Sequence, residues 1–249
     1  MVIAALLYFF APRASACNVA YIKLQGDLIT YIPASEMSTS TAQDQTSSDD
    51  ITKAIREASA TPQMKAIVLE IDSPGGYPVA GQEIESALKL VKNPTVALIR
   101  AEGDSAAYMA ATGADTIFAS EFSDIGDIGT TESYTDQSQQ DISNGITFNQ
   151  LSVGEYKDMF NTDKPLNSAE RTLIMSQLQV AYQDFVGIVA ENRHMSTSSV
   201  LALANGAGVP GQQALQEALI DRLGTIDDVR TFLTQKLGTP AVICGIDTD

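Results

Sequence analysis

Histidine is almost absent from this chain of 249 residues: there is one, His194, in the polar stretch His-Met-Ser-Thr-Ser-Ser. A serine–histidine–aspartate triad needs a histidine beside its nucleophile, and nothing around His194 suggests such a partner. With a single histidine and no HExxH pattern, metal hydrolysis is equally unsupported, so neither a metal nor a cofactor is expected. Cysteine is nearly absent too. Cys17 and Cys244 stand near opposite ends with no CxxC or Cys/His cluster, which supports neither a disulfide framework nor a zinc site; an isolated bridge between them stays open. Positive charge is scarce. The formal net charge of −16 argues against nucleic-acid binding and against adhesion to anionic lipid through a basic patch. Long apolar runs are missing as well: residues 2–11, VIAALLYFFA, fall short of the roughly twenty residues needed to span a bilayer. There is no internal repeat and no sign of a second domain. What remains, 44% hydrophobic and 18% charged residues, describes a globular chain long enough for one large α/β domain.

The stretch around which the chain is organised is Arg100 to Asp115, RAEGDSAAYMAATGAD. Upstream of it, Thr95–Ile99 is a β-branched and aliphatic run that reads as an interior strand. Downstream, Ala106, Ala107, Ala110, Ala111 and Gly113 offer little bulk, so a helix built from them can press closely on its neighbours. Ser105 falls between the two, at a helix N-terminus where backbone N–H groups favour developing negative charge. A serine capping a helix is common, so this stretch alone does not establish a nucleophile. A second apolar strand, Lys65–Ile71, runs into Asp72-Ser-Pro-Gly-Gly76. Proline stiffens the entry, and the two glycines are free to take positive φ, which suits a backbone whose amides point at a ligand. Such amides can form an oxyanion hole; an ordinary strand-to-helix turn would look the same.

Taken in order, residues 1–17 form an apolar segment ending in Ala14-Ser15-Ala16, an A-x-A cleavage pattern, but without the basic start of a secretory signal. A signal whose start is lost competes with the remnant of an anchor. Cys17 stands where a lipoprotein cleavage site would place it, although Ala14 occupies the position of the expected leucine. The main domain is expected over 18–237, followed by a tail, 238–249. Within it, Asn18–Leu24 reads as the first strand, and Pro33–Asp50 as a solvated or disordered loop. A helix is expected over Ile51–Ala60, capped by Asp49 and Asp50, and an amphipathic one over Val79–Val91. Thr116–Ala119 is a strand. A long helix over Asn167–Arg193 carries a core stripe of Leu173, Ile174, Leu178, Ala181, Phe185, Ile188 and Val189. Shorter helices come after it at Ser196–Asn205, Gly211–Ile220 and Ile226–Leu237. The pattern supports α/β with parallel pairing.

Asp72-Ser-Pro-Gly-Gly76, then Ser105 with Tyr108 three residues on and Ala114-Asp115 before the next strand, resemble the signal peptide peptidase A family of serine proteases. Gly154-Glu-Tyr-Lys-Asp158 resembles the family's segment with the catalytic lysine. Pro165–Glu170, Glu191-Asn-Arg193, Gly211–Ala214 and Leu219–Gly224 match later elements, so the resemblance covers residues 19–235. It implies a crotonase-like fold, shared with the caseinolytic protease, built as a spiral of strand–strand–helix units with C-terminal helices. It also implies an N-terminal membrane association with the peptidase domain outside the cytoplasm. Larger family members hold two copies of this domain. A single copy implies a homo-oligomer whose active sites are shared, the lysine coming from a neighbouring subunit. Two departures stand out: Ala106-Ala107 replaces the Gly-Gly that often comes after the nucleophile, where any positive φ would now cost energy, and Asp127 in Ser123–Gly129 replaces a serine beside the substrate cleft.

The resemblance implies Ser105 as nucleophile, Lys157 as base, and backbone N–H groups of Gly75 or Gly76 and of Ala106 as the oxyanion hole. The substrates implied are residual signal peptides or other small apolar peptides. A lysine base must be neutral when it takes the serine proton, so its pKa must fall toward neutrality, which burial achieves. Tyr156, Met159 and Phe160 could supply the apolar setting for Lys157. Two rivals persist. The crotonase-like fold also hosts enzymes acting on acyl-coenzyme A, and an inactive member would serve as a peptide-binding or membrane-associated scaffold.

Overall fold

A computed structural model describes residues 17–33 and 44–245. The described residues fall into two compact units, one running to Ile125 and resuming at Pro210, the other Gly126–Val209. The strands are Val19–Gln25 (β1), Asp27–Ile29 (β2), Gln45–Ser47 (β3), Ala66–Ser73 (β4), Thr95–Asp104 (β5), Thr116–Ala119 (β6), Asp124–Gly126 (β7), Gly208–Pro210 (β8), Arg222–Leu223 (β9) and Ile243–Gly245 (β10). The helices are Ser48–Ala60 (α1), Pro78–Lys89 (α2), Ser105–Thr112 (α3), Ser138–Ser143 (α4), Ser168–Asn192 (α5), Thr197–Leu203 (α6), Gly211–Gln216 (α7) and Ile226–Leu237 (α8).

In the first unit the sheet runs β10-β1-β4-β5-β6-β9, with parallel neighbours throughout. A parallel sheet covered on both faces needs strands apolar on both sides. Accordingly β4, AIVLEIDS, is buried at every position but Asp72. One face packs Val19, Val68, Val96, Leu98 and Phe118 against Val229 and Leu233 of α8. Burying each such side chain stabilises the fold by roughly 1.5–3 kcal/mol. Helices α1 and α2 bury Ile51, Ile55, Ile84 and Leu88. The small-residue helix α3 packs tightly, as its composition predicts: a Cβ on Gly81 of α2 would lie 2.4 Å from the Ala106 carbonyl oxygen. Asp115 clamps the end of α3 to the start of β5, its carboxylate accepting from the Thr95 N–H at 2.9 Å while its own N–H donates to Thr95 Oγ1 at 2.9 Å. The parallel sheet with helices on both faces agrees with the α/β class that the resemblance implies.

Several local expectations change. Helix α1 begins at Ser48, and its cap is Ser47, whose Oγ accepts from the Asp50 N–H; Asp49 and Asp50 lie in the first turn, where they complement the helix dipole. Part of the loop expected over Pro33–Asp50 pairs instead, because β3 forms a parallel ladder with β2. Residues 243–245, read as tail, add the edge strand β10 beside β1. The open question about cysteine closes: Cys17 and Cys244 form a disulfide, with Cα atoms 5.9 Å apart. The signal-or-anchor expectation for residues 1–16 lies outside the described residues, among which no helix is long and apolar enough to cross a membrane.

In the second unit α5 starts with a capping box. Asn167 Oδ1 accepts from the Glu170 N–H at 2.9 Å, and Glu170 accepts from the Asn167 N–H at 2.8 Å. Of the stripe expected on α5, Ile174, Phe185 and Val189 are buried, whereas Leu173, Leu178, Ala181 and Ile188 are only partly so. The difference arises because α6 packs on α5 and buries only part of its length; Met175 and Val180 face solvent.

Candidate active site

Strand β4 delivers Asp72-Ser-Pro-Gly-Gly to the end of the sheet. Ser73 is fully buried, its Oγ donating to the Gly26 carbonyl at 2.6 Å and accepting from the Gly75 N–H at 3.1 Å. Gly75 has φ 102°, and a Cβ there would lie 2.8 Å from the Ser105 Cβ and 3.0 Å from the Ala106 nitrogen. Only glycine meets both requirements. The next residues are held by β2: the Leu28 N–H donates to the Gly75 carbonyl at 2.7 Å, and the Tyr77 N–H to the Leu28 carbonyl at 2.8 Å. The Gly75 N–H is therefore committed internally. The Gly76 N–H donates to no backbone acceptor among the described residues, so of the two glycines it is the one left as a candidate oxyanion donor.

Strand β5 runs five residues farther than its apolar core and passes directly into α3 at Ser105. Ser105 is half-buried and has φ 51°, a left-handed conformation that costs a residue with a Cβ of order 1–2 kcal/mol. Strain of this kind clusters at functional sites. The helix begins immediately, so the Ala106 N–H lies in the first turn, before any intrahelical acceptor exists. The Ala106-Ala107 departure carries no strain: positive φ falls on Ser105, and both alanines are helical. Tyr108 is an anchor inside the fold, its hydroxyl donating to the Leu219 carbonyl at 2.8 Å.

Lys157 belongs to the other unit, in the turns after Gly154, and its N–H donates to the Gly154 carbonyl at 3.1 Å. The apolar setting expected for it is not seen among the described residues. Lys157 is exposed, and Tyr156 and Phe160 are 37% and 38% exposed; Phe160 packs against Tyr134 rather than the lysine, ring centroids 6.3 Å apart. Lys164 is engaged elsewhere, its Nζ 2.6 Å from the buried Glu170. That lysine, with the Asn167 N–H, holds the Glu170 carboxyl below its ordinary range. Asp127 comes directly after Gly126 with φ 44°, a conformation that aspartate tolerates better than most residues. His194 sits in the turn after α5 with φ 54°.

Sequence reasoning passed over a polar cluster on β1, β4 and β5, the strand that leads to Ser105. Glu70, buried in the middle of β4, accepts from the hydroxyl of Tyr21 on β1 and from Arg100 Nη1 of β5 at 2.7 Å. Burial and the neighbouring carboxylate push the Tyr21 phenol well above its ordinary range, and Glu70 raises Arg100 further. A lone glutamate inside an apolar strand was the available signal, since a buried carboxylate requires a partner.

Residues 87–239 match the profile of Peptidase family S49, a span that includes Ser105 and Lys157. A protein named as a protease from Synechocystis is 32% identical over 202 residues, 79% of this chain and 70% of that protein. Another so named from Methanocaldococcus jannaschii is 30% identical over 174 residues, 69% of this chain and 56% of its own length. One named as signal peptide peptidase SppA from Enterococcus faecium is 31% identical over 176 residues; the chain spans 51% of it. Among solved structures, a point mutant of ClpP1 from Listeria monocytogenes superposes with a TM-score of 0.53 at 12% identity, over 84% of this chain and 92% of that one.

Proposed function

The chain belongs to peptidase family S49, and we propose on that premise that it is a serine endopeptidase that hydrolyses residual signal peptides or other small apolar peptides. The observation that carries the reading is the junction of β5 and α3. Ser105 is half-buried there in a strained elbow, packed on Gly75, with the Ala106 N–H in the first turn of α3 directly after it. In the proposed reaction Ser105 Oγ attacks the scissile carbonyl carbon while neutral Lys157 takes its proton. The oxyanion receives hydrogen bonds from Gly76 and Ala106. The lysinium then protonates the leaving amine, and water releases the acyl group from Ser105.

An exposed Lys157 cannot supply a desolvated base. We therefore assign its burial to a neighbouring subunit in a homo-oligomer with shared active sites. The Cys17–Cys244 bridge supports a peptidase domain outside the cytoplasm, since disulfides persist in oxidising compartments; the segment before Cys17 would associate it with the membrane. The exposure of Lys157 is also the observation that favours the second reading, an inactive peptide-binding scaffold.

Hydrolysis of a fluorogenic peptide with an apolar residue before the scissile bond, from neutral to alkaline pH, tests the proposal. Wild type is expected to be active, with a rate rising through one ionisation, and both Ser105→Ala and Lys157→Ala to be inactive. An inactive wild type gives the scaffold reading first place. Activity retained in Lys157→Ala removes the lysine.

A further inference from the structure

The ladder between β4 and β5 is broken just before the nucleophile. Ile71 pairs with Ile99 and Ser73 with Gly103; between these pairs β4 has Asp72 alone, whereas β5 has Arg100, Ala101 and Glu102. An excursion of this kind bends a strand and re-aims the residues beyond it, here Gly103, Asp104 and Ser105. Left loose, it would let the serine wander.

Three polar contacts hold it. Arg100 Nη1 donates to Glu70 at 2.7 Å, the carboxylate being only 3% exposed while the arginine side chain is 56% exposed. The Ala101 N–H donates to Asp72 Oδ1 at 3.2 Å. The Arg100 carbonyl accepts from Ser123 Oγ, which also accepts from the Ser120 N–H at 3.0 Å and thereby ties the excursion to the turn after β6. The Tyr21 hydroxyl donates to the same Glu70 oxygen, Oε2, that Arg100 engages. An exposed arginine reaching back to a buried carboxylate is a poor way to gain stability, because desolvation offsets the attraction. It is an effective way to fix a register.

We propose that Glu70 and Arg100, with Asp72 and Ser123, are positioning residues that hold the β5 excursion so that Ser105 is presented at its elbow. The proposal rests on the reading of Ser105 as nucleophile. Arg100→Met alone would leave a buried carboxylate without its cation, so the informative variant is Glu70→Gln/Arg100→Met, in which the amide still accepts from Tyr21. Asp72→Ala loosens the same excursion without touching the buried pair.

The full chain is compared with these variants in three measurements: the rate at which a fluorophosphonate labels Ser105, the thermal midpoint, and amide exchange at Ala101 and Gly103. Both variants are expected to stay folded, to label about tenfold to a hundredfold more slowly, and to exchange faster at those amides. Peptide hydrolysis should fall in kcat with KM unchanged, and Arg100→Lys should recover part of the loss. Folded variants that label and exchange at wild-type rates would overturn the positioning role alone. A wild type that takes no label at Ser105 removes the nucleophile reading and this proposal with it.

Discussion

The two candidate catalytic side chains sit in regions of opposite character. Ser105 is surrounded by its own chain: strand β4 beneath it, Gly75 against its Cβ, and a backbone conformation that packing over-determines. Lys157 lies in a succession of turns with its side chain in solvent, near Leu151 and Val153, which are 98% and 97% exposed. Among the described residues Ser105 is held by packing, whereas Lys157 is exposed. A catalytic group on exposed turns acquires a fixed place and a low-dielectric setting only from something that covers it.

The largest test of this contrast is Lys157→Ala. It should reduce peptide hydrolysis by about 10²–10⁴-fold, the range for loss of a general base. In isolated chains the thermal midpoint should be unchanged. A midpoint that falls only at concentrations where chains associate would sharpen the contrast, by showing that the lysine becomes buried on assembly. Next comes Gly75→Ala. The added Cβ meets Ser105 at 2.8 Å and forces a residue with a Cβ to φ 102°, so a loss of about 2–3 kcal/mol in urea unfolding is expected, together with loss of Ser105 labelling. An equivalent change in the Lys157 turns, Gly154→Ala, strains φ but meets only the Lys157 Cβ at 3.7 Å, and should cost about 1 kcal/mol.

Cys244→Ser should cost the first unit about 2–4 kcal/mol, read from the denaturant midpoint, and leave Ser105 labelling intact wherever the fold persists. The smallest effect is expected from Glu170→Gln in the second unit. Because Lys164 and the Asn167 N–H lower the Glu170 pKa in the folded state, its stabilisation is fully present above the unfolded pKa and is lost as pH falls through the folded one. Glu170→Gln should therefore lower the midpoint at neutral pH and flatten its decline into acid. A wild-type acid decline as steep as before in the variant would remove Glu170 from the account.

The same contrast decides what could be read from residues alone. The Ser105 elbow was legible because every part of it is local: an apolar run, a polar turn, a run of small residues, and a Pro-Gly-Gly that needs positive φ. Helix α8 was legible to the residue, since Thr225-Ile-Asp-Asp228 encodes its capping box and Gly238 its left-handed stop. The Cys17–Cys244 bond was not, because it depends on β10 returning to β1 across a separation of 227 residues. Nor was the setting of Lys157. Tyr156, Met159 and Phe160 are apolar neighbours in sequence, but a turn scatters successive side chains instead of gathering them, and Phe160 turns to Tyr134. Glu70 was hidden by its surroundings, since an apolar strand reads as apolar even when one carboxylate in it is the point on which a neighbouring strand is pinned.

Topologically, the disulfide turns the backbone between Cys17 and Cys244 into a closed loop. A host protease that cuts at the solvent-exposed Leu151 would therefore yield two fragments that still travel as one molecule, and only a reducing gel would reveal the cut.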